Sequence, residues 1–134
     1  MQTESITIHA TQDDILLPSA HLRELLSVNH ISDEIIKSCE TALSKLLKKI
    51  VENAYNGDPQ KIITVRITYN NSAVYIETQD EGKPIETAVG NLIPAKNLQP
   101  ASHNEATPAQ NDMLDEVWYE LDTGKNIWQL VKYI

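Results

Sequence analysis

The chain has 134 residues, of which 41% are hydrophobic, and this length and composition suit one domain with one core. Eleven basic against nineteen acidic residues leave a formal net charge of -8, which disfavours binding driven by attraction to nucleic acid or to an anionic membrane. Cys39 is the single cysteine, and the sequence shows neither a secretory leader nor an apolar run long enough to span a membrane. We therefore expect a cytoplasmic protein without an internal disulfide.

The first half of the chain predicts a strand and then two helices. Residues 5–10 alternate apolar and polar side chains, as a strand with one buried face does. Asp13 and Asp14 precede a leucine-rich pattern, which favours a helix over residues 14–27 with Pro18 in its first turn. Ser32 is a good N-cap for a longer helix, whose apolar residues recur at steps of three and four as far as Ala54.

The second half predicts two β-hairpins separated by a long irregular stretch. Residues 63–77 alternate in two runs around an Asn-Asn-Ser turn, and alternation appears again over residues 117–133. In the last run the alternating residues are Ile127, Gln129, Val131 and Tyr133. Residues 83–112 contain four prolines and no sustained period, so we expect a mobile loop. A loop of this length is usually either functional, as a lid, or disordered. Together the elements predict an α+β fold, a two-layer α/β sandwich with a mixed, mostly antiparallel sheet and both helices on one face.

Three stretches of the chain carry a resemblance to a known family. They are ALSKLLKKIVENAYNGDP at 42–59, IETQDEGKPI at 76–85 and LDEVWYELDTGKNIWQLVK at 114–132. With the order of the elements, they resemble the anti-sigma-factor serine kinases, which belong to the histidine-kinase-like (GHKL) ATPases with the Bergerat fold. The resemblance covers nearly the whole chain. It implies a single ATPase-type domain over residues 1–134, with a degenerate ATP lid at 83–112.

The residues that would perform catalysis in such a family are replaced on the long helix. Family members carry a glutamate as general base and, one turn later, an asparagine that binds magnesium. With AYNGDP as anchor, these positions are Lys45 and Lys49. An ammonium group has donors and no acceptor, so it can neither take a proton nor bind a cation. Sliding the match by one turn puts Asn53 at the metal position and Lys49 at the base position, so both registers lack the base.

The nucleotide motif after the strand is matched in part. The family's aspartate for the adenine amino group and its first glycine correspond to Asp80 and Gly82, while Pro84 stands at the second glycine. The glycine-rich segment that would bind phosphates is missing between Val89 and Met113. The resemblance therefore leaves adenine recognition open and disfavours ATP and Mg²⁺ as cofactors. The histidines and the cysteine show no zinc-type spacing, and we expect no metal site.

Two groups of side chains have alternative interpretations. Lys45 and Lys49 are either a solvated helix face or a plug, in which one of them points into the former nucleotide cleft and pairs with Asp80 or Glu81. Trp118 and Trp128 fall on facing strands of the last hairpin, where they form a cross-strand aromatic pair or fill the core. A peptide-binding surface at these residues is a further alternative.

The leading hypothesis for function is an anti-sigma-factor-like regulator of transcription, a pseudokinase that works by protein binding and partner switching. The resemblance implies a sigma factor or an anti-sigma-factor antagonist as partner and also a homodimer, with the first strand as one candidate face. The enzymatic alternative is an active ATP- and magnesium-dependent protein serine kinase that uses Asp80 for adenine and Asn53 for the metal. It needs a carboxylate base, and Glu40 lies just over one turn upstream of Lys45. A structural domain that reuses the fold is the third alternative.

Overall fold

The computed structural model describes residues 2–55, 58–82, 99–100 and 114–134. The elements, in chain order, are β1 Gln2–His9, α1 Leu16–Val28, α2 Asp33–Lys49, a π-helical turn Ile50–Ala54, β2 Ile62–Tyr69, β3 Ala73–Asp80, β4 Gln99–Pro100, β5 Glu116–Asp122 and β6 Lys125–Tyr133. Both helices and both hairpins stand where the sequence predicts them.

The first helix begins two residues later than its acidic residues suggest. Pro18 lies in its first turn, where its missing N–H costs no hydrogen bond. Asp14 stays outside the helix, because its carboxylate accepts the backbone N–H of His9 at 3.0 Å. Its own N–H donates to the side chain of Thr11. The acid therefore fastens the chain just after β1 instead of capping a helix.

The second helix owes its start to its N-cap. The Ser32 hydroxyl accepts the backbone N–H of Ile35 at 3.3 Å, as the sequence predicts. The helix does not remain α-helical to Ala54, since Tyr55 N–H donates to the carbonyl of Ile50, five residues back. The predicted continuous helix is therefore an α-helix to Lys49 followed by a π-helical turn.

The strands of the described residues form one sheet in the order β1-β2-β3-β6-β5-β4, and every pairing in it is antiparallel. The tight turn of the last hairpin uses Thr123 and Gly124, both with positive φ, and glycine takes this conformation without steric cost. The predicted lid, residues 83–112, lies outside the described residues except for Gln99–Pro100. This pair adds a short strand beside β5, which the sequence does not predict.

The core lies between the two helices and one face of the sheet. Strands β2 and β3 bury alternate residues, as predicted. In β6 the inward row consists of Asn126, Trp128 and Leu130, all at most 1% exposed. Ile127 and Gln129, which are among the alternating residues of the predicted strand, therefore lie on the opposite, outward face. The two-layer sandwich with helices on one face is confirmed.

No helix among the described residues is long and apolar enough to cross a membrane.

Candidate functional site

The site begins with Asp80, the last residue of β3. Its position in the alternation of the strand turns it toward the helices, and it is only 2% exposed. Thr78, two residues earlier on the same face, is fully buried. A carboxylate in such surroundings loses its hydration, and burial accordingly raises the pKa of Asp80, partly offset by hydrogen bonds from Asn126 and Gly82.

One oxygen of Asp80 is fully engaged. Its Oδ1 accepts the side-chain N–H of Asn126 at 2.9 Å and the backbone N–H of Gly82 at 2.9 Å. The Asn126 amide also donates to the carbonyl of Gly82 at 2.9 Å and accepts the hydroxyl of Tyr119 at 2.7 Å. This chain of hydrogen bonds fixes the orientation of the carboxylate and ties the end of β3 to the start of β6.

The other oxygen of Asp80 has no partner. Asp80 Oδ2, Thr78 Oγ1 and Trp128 Nε1 are buried and make no hydrogen bond in the described structure. They are close neighbours in the sheet, because Thr78 pairs with Trp128 and Asp80 pairs with Asn126. Each buried unpaired polar group costs about 1–3 kcal/mol. The inner face of β3 and β6 therefore holds three unsatisfied polar atoms on neighbouring residues.

Trp128 fills the core, which confirms the core-filling interpretation for this tryptophan. Its ring packs against Tyr119 with the ring centroids 4.7 Å apart. Trp118 pairs with Gln129 on the outward face instead, and its indole N–H donates to Glu116 at 2.6 Å. The alternative in which Trp118 and Trp128 pair with each other across the strands is wrong. Tyr119 is the residue that faces Trp128, and Trp118, its neighbour on β5, points to the opposite side of the sheet.

The end of the long helix is joined to the site by Tyr55. Its hydroxyl donates to the carbonyl of Ile62 at 2.7 Å and accepts the backbone N–H of Glu81 at 2.7 Å. Burial raises the pKa of this phenol, so it keeps its proton for the bond to Ile62. One side chain thus connects the helix end with the start of β2 and with the residue after Asp80.

The two lysines at the predicted base and metal positions, Lys45 and Lys49, are exposed on α2, on the face opposite its buried stripe. The hydrogen bonds of Asp80 come from Asn126 and Gly82, and its second oxygen has no partner. A lysine plug on Asp80 is therefore not present, and the alternative pairing of a lysine with Glu81 stays a prediction. Asn53 lies within the π-helical turn, and its side chain is outside the described part of the structure.

The carboxylate upstream of Lys45 is also engaged. Glu40 receives two hydrogen bonds from the guanidinium of Arg23 on α1, one of them at 3.0 Å. The same guanidinium donates to Asp33 at 2.9 Å. A bidentate pair of this kind holds the carboxylate in a fixed orientation, and both of its oxygens are occupied by Arg23. Within residues 2–55, 58–82, 99–100 and 114–134, no three His, Cys, Asp or Glu side chains are arranged to hold a metal ion.

Asp80 and Gly82 were predicted from the sequence, and the structure places them together. Asn126, Tyr119 and Tyr55, which position them, were not predicted from the sequence. Asn126 stands at the inward position of β6 beside Trp128 and Leu130, whereas the alternating pattern of the sequence picked out the opposite face, so that pattern did not point to Asn126.

Comparison with known proteins supports the fold. No protein-family profile matches the chain, and no curated protein matches it. The chain is similar to a crystal structure of the RsbU and RsbW domains of Rv1364c from Mycobacterium tuberculosis, with a TM-score of 0.70 and 19% sequence identity. The expected fold is confirmed. The match covers 98% of this chain and 32% of that one, so this chain spans about a third of its length.

Proposed function

We propose that this chain is an anti-sigma-factor-like regulatory protein that acts by protein binding and partner switching, with weak or lost kinase activity. RsbW, one of the two domains in the similar structure, is an anti-sigma-factor serine kinase of the histidine-kinase-like type. The fold supports the same general role here. The proposal places the protein in the cytoplasm, with a sigma factor or an antagonist protein as partner, and includes a homodimer.

The main support for weak or lost kinase activity is the set of side chains on the exposed face of α2. An exposed ammonium, Lys45, occupies the position of the general base, and the carboxylate of Glu40 is held by Arg23. Phosphoryl transfer to a serine needs a group that orients the hydroxyl and accepts its proton. The described face of α2 offers no carboxylate that is free for this task near Lys45.

A second function, nucleotide binding without catalysis, is favoured by the unpaired oxygen of Asp80. An exocyclic amino group can donate to Asp80 Oδ2. Such a ligand would satisfy a buried atom that is costly to leave unpaired. In this proposal ATP or adenosine acts as a regulatory ligand, and its binding does not depend on Mg²⁺.

Two measurements test these proposals. The first is isothermal titration with ATP, with and without Mg²⁺. If the protein binds no nucleotide, the titration gives no heat. If ATP is a regulatory ligand, the heat of binding is unchanged by the metal and is lost in Asp80→Leu. Incubation with labelled ATP and a purified antagonist of a sigma factor is expected to leave the antagonist unlabelled while the two proteins still bind. Magnesium-dependent transfer of phosphate to the antagonist would contradict the regulatory proposal. Binding to neither sigma factors nor antagonists of the source cell would contradict it as well.

A further inference from the structure

The edge of the sheet formed by β1 offers unpaired backbone groups. Within the described residues β1 has a single neighbour, β2, along its whole length. Ala10 N–H donates to the carbonyl of Lys61, which continues the register of this pair. In an antiparallel ladder alternate residues point their N–H and C=O to the same side, so the even-numbered residues face β2. The N–H groups of Thr3, Ser5 and Thr7 therefore point away from the sheet.

One end of this edge is closed. The N–H of His9 belongs to the same outward row, and it is taken by the Asp14 carboxylate at 3.0 Å. Natural proteins protect edge strands by such covering groups, because open backbone edges pair with other chains. The protection stops at His9 and leaves the outward row from Thr3 to Thr7 without a partner among the described residues.

A pocket lies beside the open stretch on the helix side of the sheet. Its volume is about 170 Å³, and it is lined by Glu4 of β1 and by His21, Glu24, Leu25 and Val28 of α1. Glu4 pairs with His21. Glu24 is exposed and forms no ion pair with any residue that the structure describes. The pocket therefore has one carboxylate available for a new cation.

The apolar wall of the pocket suits the stem of a long cationic side chain. Val28 is 66% exposed at the end of α1, and Leu25 lies one turn before it. Lysine and arginine place their methylene groups along such surfaces while the charged end reaches a carboxylate. In an added strand, the side chain opposite Glu4 stands about 5 Å away on the same face, at the mouth of this pocket.

From the open edge and the acidic pocket we propose that β1 is a docking site for an extended segment of a different protein, which adds a strand to the sheet and places a Lys or Arg side chain between Glu4 and Glu24. Backbone pairing supplies the affinity and the pocket supplies the selectivity, as in other cases of strand addition. The net charge of -8 attracts a basic segment from a distance. This inference deepens the protein-binding part of the proposed function and rests on it.

A second copy of the chain fits the edge less well. The strand Gln2–His9 contains no lysine or arginine, so a β1–β1 pair would bring no cation to the pocket except histidine. It would instead bring another Glu4 to the same edge. Charge complementarity therefore favours a basic partner over self-association at this surface.

The test uses a short synthetic peptide that alternates threonine with valine and carries one central lysine, titrated to millimolar concentration into the labelled full chain. We expect amide shifts at Thr3, Ser5 and Thr7, and weaker shifts with the same peptide carrying glutamate instead of lysine. Glu24→Lys is expected to reverse this preference. Because Glu24 is exposed on α1, the variant leaves the core intact.

A matched pair of variants tests the backbone pairing itself. Ser5→Pro removes an outward N–H and keeps the ladder to β2, since proline is tolerated at this position of an edge strand. It is expected to weaken binding about tenfold, roughly the effect of one lost hydrogen bond, while Ser5→Ala leaves binding unchanged.

Equal binding of both peptides, or shifts that avoid β1, would overturn the proposal. A wild-type dimer that Ser5→Pro converts to a monomer would overturn it too, because the occupant would be a second copy. Sigma-factor binding unaffected by Ser5→Pro would reject this surface and leave the proposed function standing.

Discussion

The two oxygens of the Asp80 carboxylate have opposite surroundings. Oδ1 accepts two hydrogen bonds, while Oδ2 is buried without a partner. Burial raises the pKa of Asp80 above its ordinary value. The carboxyl group of Asp80 therefore binds a proton more tightly in the folded state than in the unfolded state. The resulting stabilisation is present at acidic pH and is lost as the pH rises through the folded-state pKa.

The first prediction concerns this charge. Asp80→Asn keeps an acceptor oxygen for Asn126 and Gly82 and removes the buried charge, so we expect the variant to be more stable than the wild type at neutral pH. The difference should shrink toward acidic pH. Urea unfolding at several pH values measures it.

Asp33→Asn is the control for that measurement. The hydrogen bond from Arg23 lowers the pKa of Asp33, so its stabilising effect is present at neutral pH and is lost on acidification. The variant should therefore show the opposite dependence on pH. If Asp80→Asn is less stable than the wild type at neutral pH, the account of Oδ2 as an unsatisfied atom is wrong.

The second prediction introduces on α2 the two groups that the family resemblance leads us to expect there. The double variant Lys45→Glu with Lys49→Asn provides a carboxylate and an amide oxygen where two ammonium groups now stand. We expect it to bind Mg²⁺-ATP at least about tenfold more tightly than the wild type, a gain of about 1.4 kcal/mol or more. Isothermal titration measures this. Lys48→Glu makes a similar change of charge on the exposed face, and an equal gain there would show a general effect of charge instead.

At the scale of elements, Tyr55 joins three parts of the structure. It ends the π-helical turn, and its hydroxyl contacts the start of β2 at Ile62 and the residue after β3, Glu81. A π-helical turn widens the helix and so changes which side its last residues face. This turn places the phenol 6% exposed between the layers.

The third prediction follows from this connection. Tyr55→Phe keeps the packing and removes both hydrogen bonds, so we expect it to lower the free energy of unfolding by about 1–3 kcal/mol. Tyr75→Phe serves as the control, because the Tyr75 hydroxyl makes no hydrogen bond with a described residue. Equal stability losses in chemical unfolding would show that the Tyr55 hydroxyl has no special role.

Most elements could be predicted from local patterns, because capping at Ser32 and period-two alternation act over a few residues. The π-helical turn could not be predicted in the same way. Its apolar residues continue the α-helical spacing, and the hydroxyl of Tyr55 finds its two partners only in the folded sheet. The roles of Asn126 and Tyr119 also depend on the pairing of β3 with β6, which no local pattern specifies.

At the scale of the whole molecule, the helices cover one face of the sheet and the core lies between the two layers. Order of elements and amphipathic patterns were sufficient to predict this architecture. The candidate site was predicted only in part. Asp80 was recognised from a motif, whereas its unpaired oxygen and its partners depend on contacts between residues that are far apart in the sequence.

The fourth prediction compares neighbouring positions on α2. Leu46 is fully buried between the layers, and Leu46→Ala is expected to lower the free energy of unfolding by about 3 kcal/mol. Lys45→Ala, one residue away on the exposed face, should change it by less than about 0.5 kcal/mol. Chemical unfolding of both variants measures the contrast. Similar losses would mean that α2 does not pack as described.

The carboxylate of Asp14 has a consequence for the lifetime of any complex at β1. Since it occupies the N–H of His9, a visiting strand finds three outward donors within Gln2–His9, at Thr3, Ser5 and Thr7. A contact this short dissociates readily, and differences in affinity between related complexes arise mostly from dissociation rates. A brief residence time lets one visitor give way to the next, so the edge is suited to exchange and unsuited to permanent assembly.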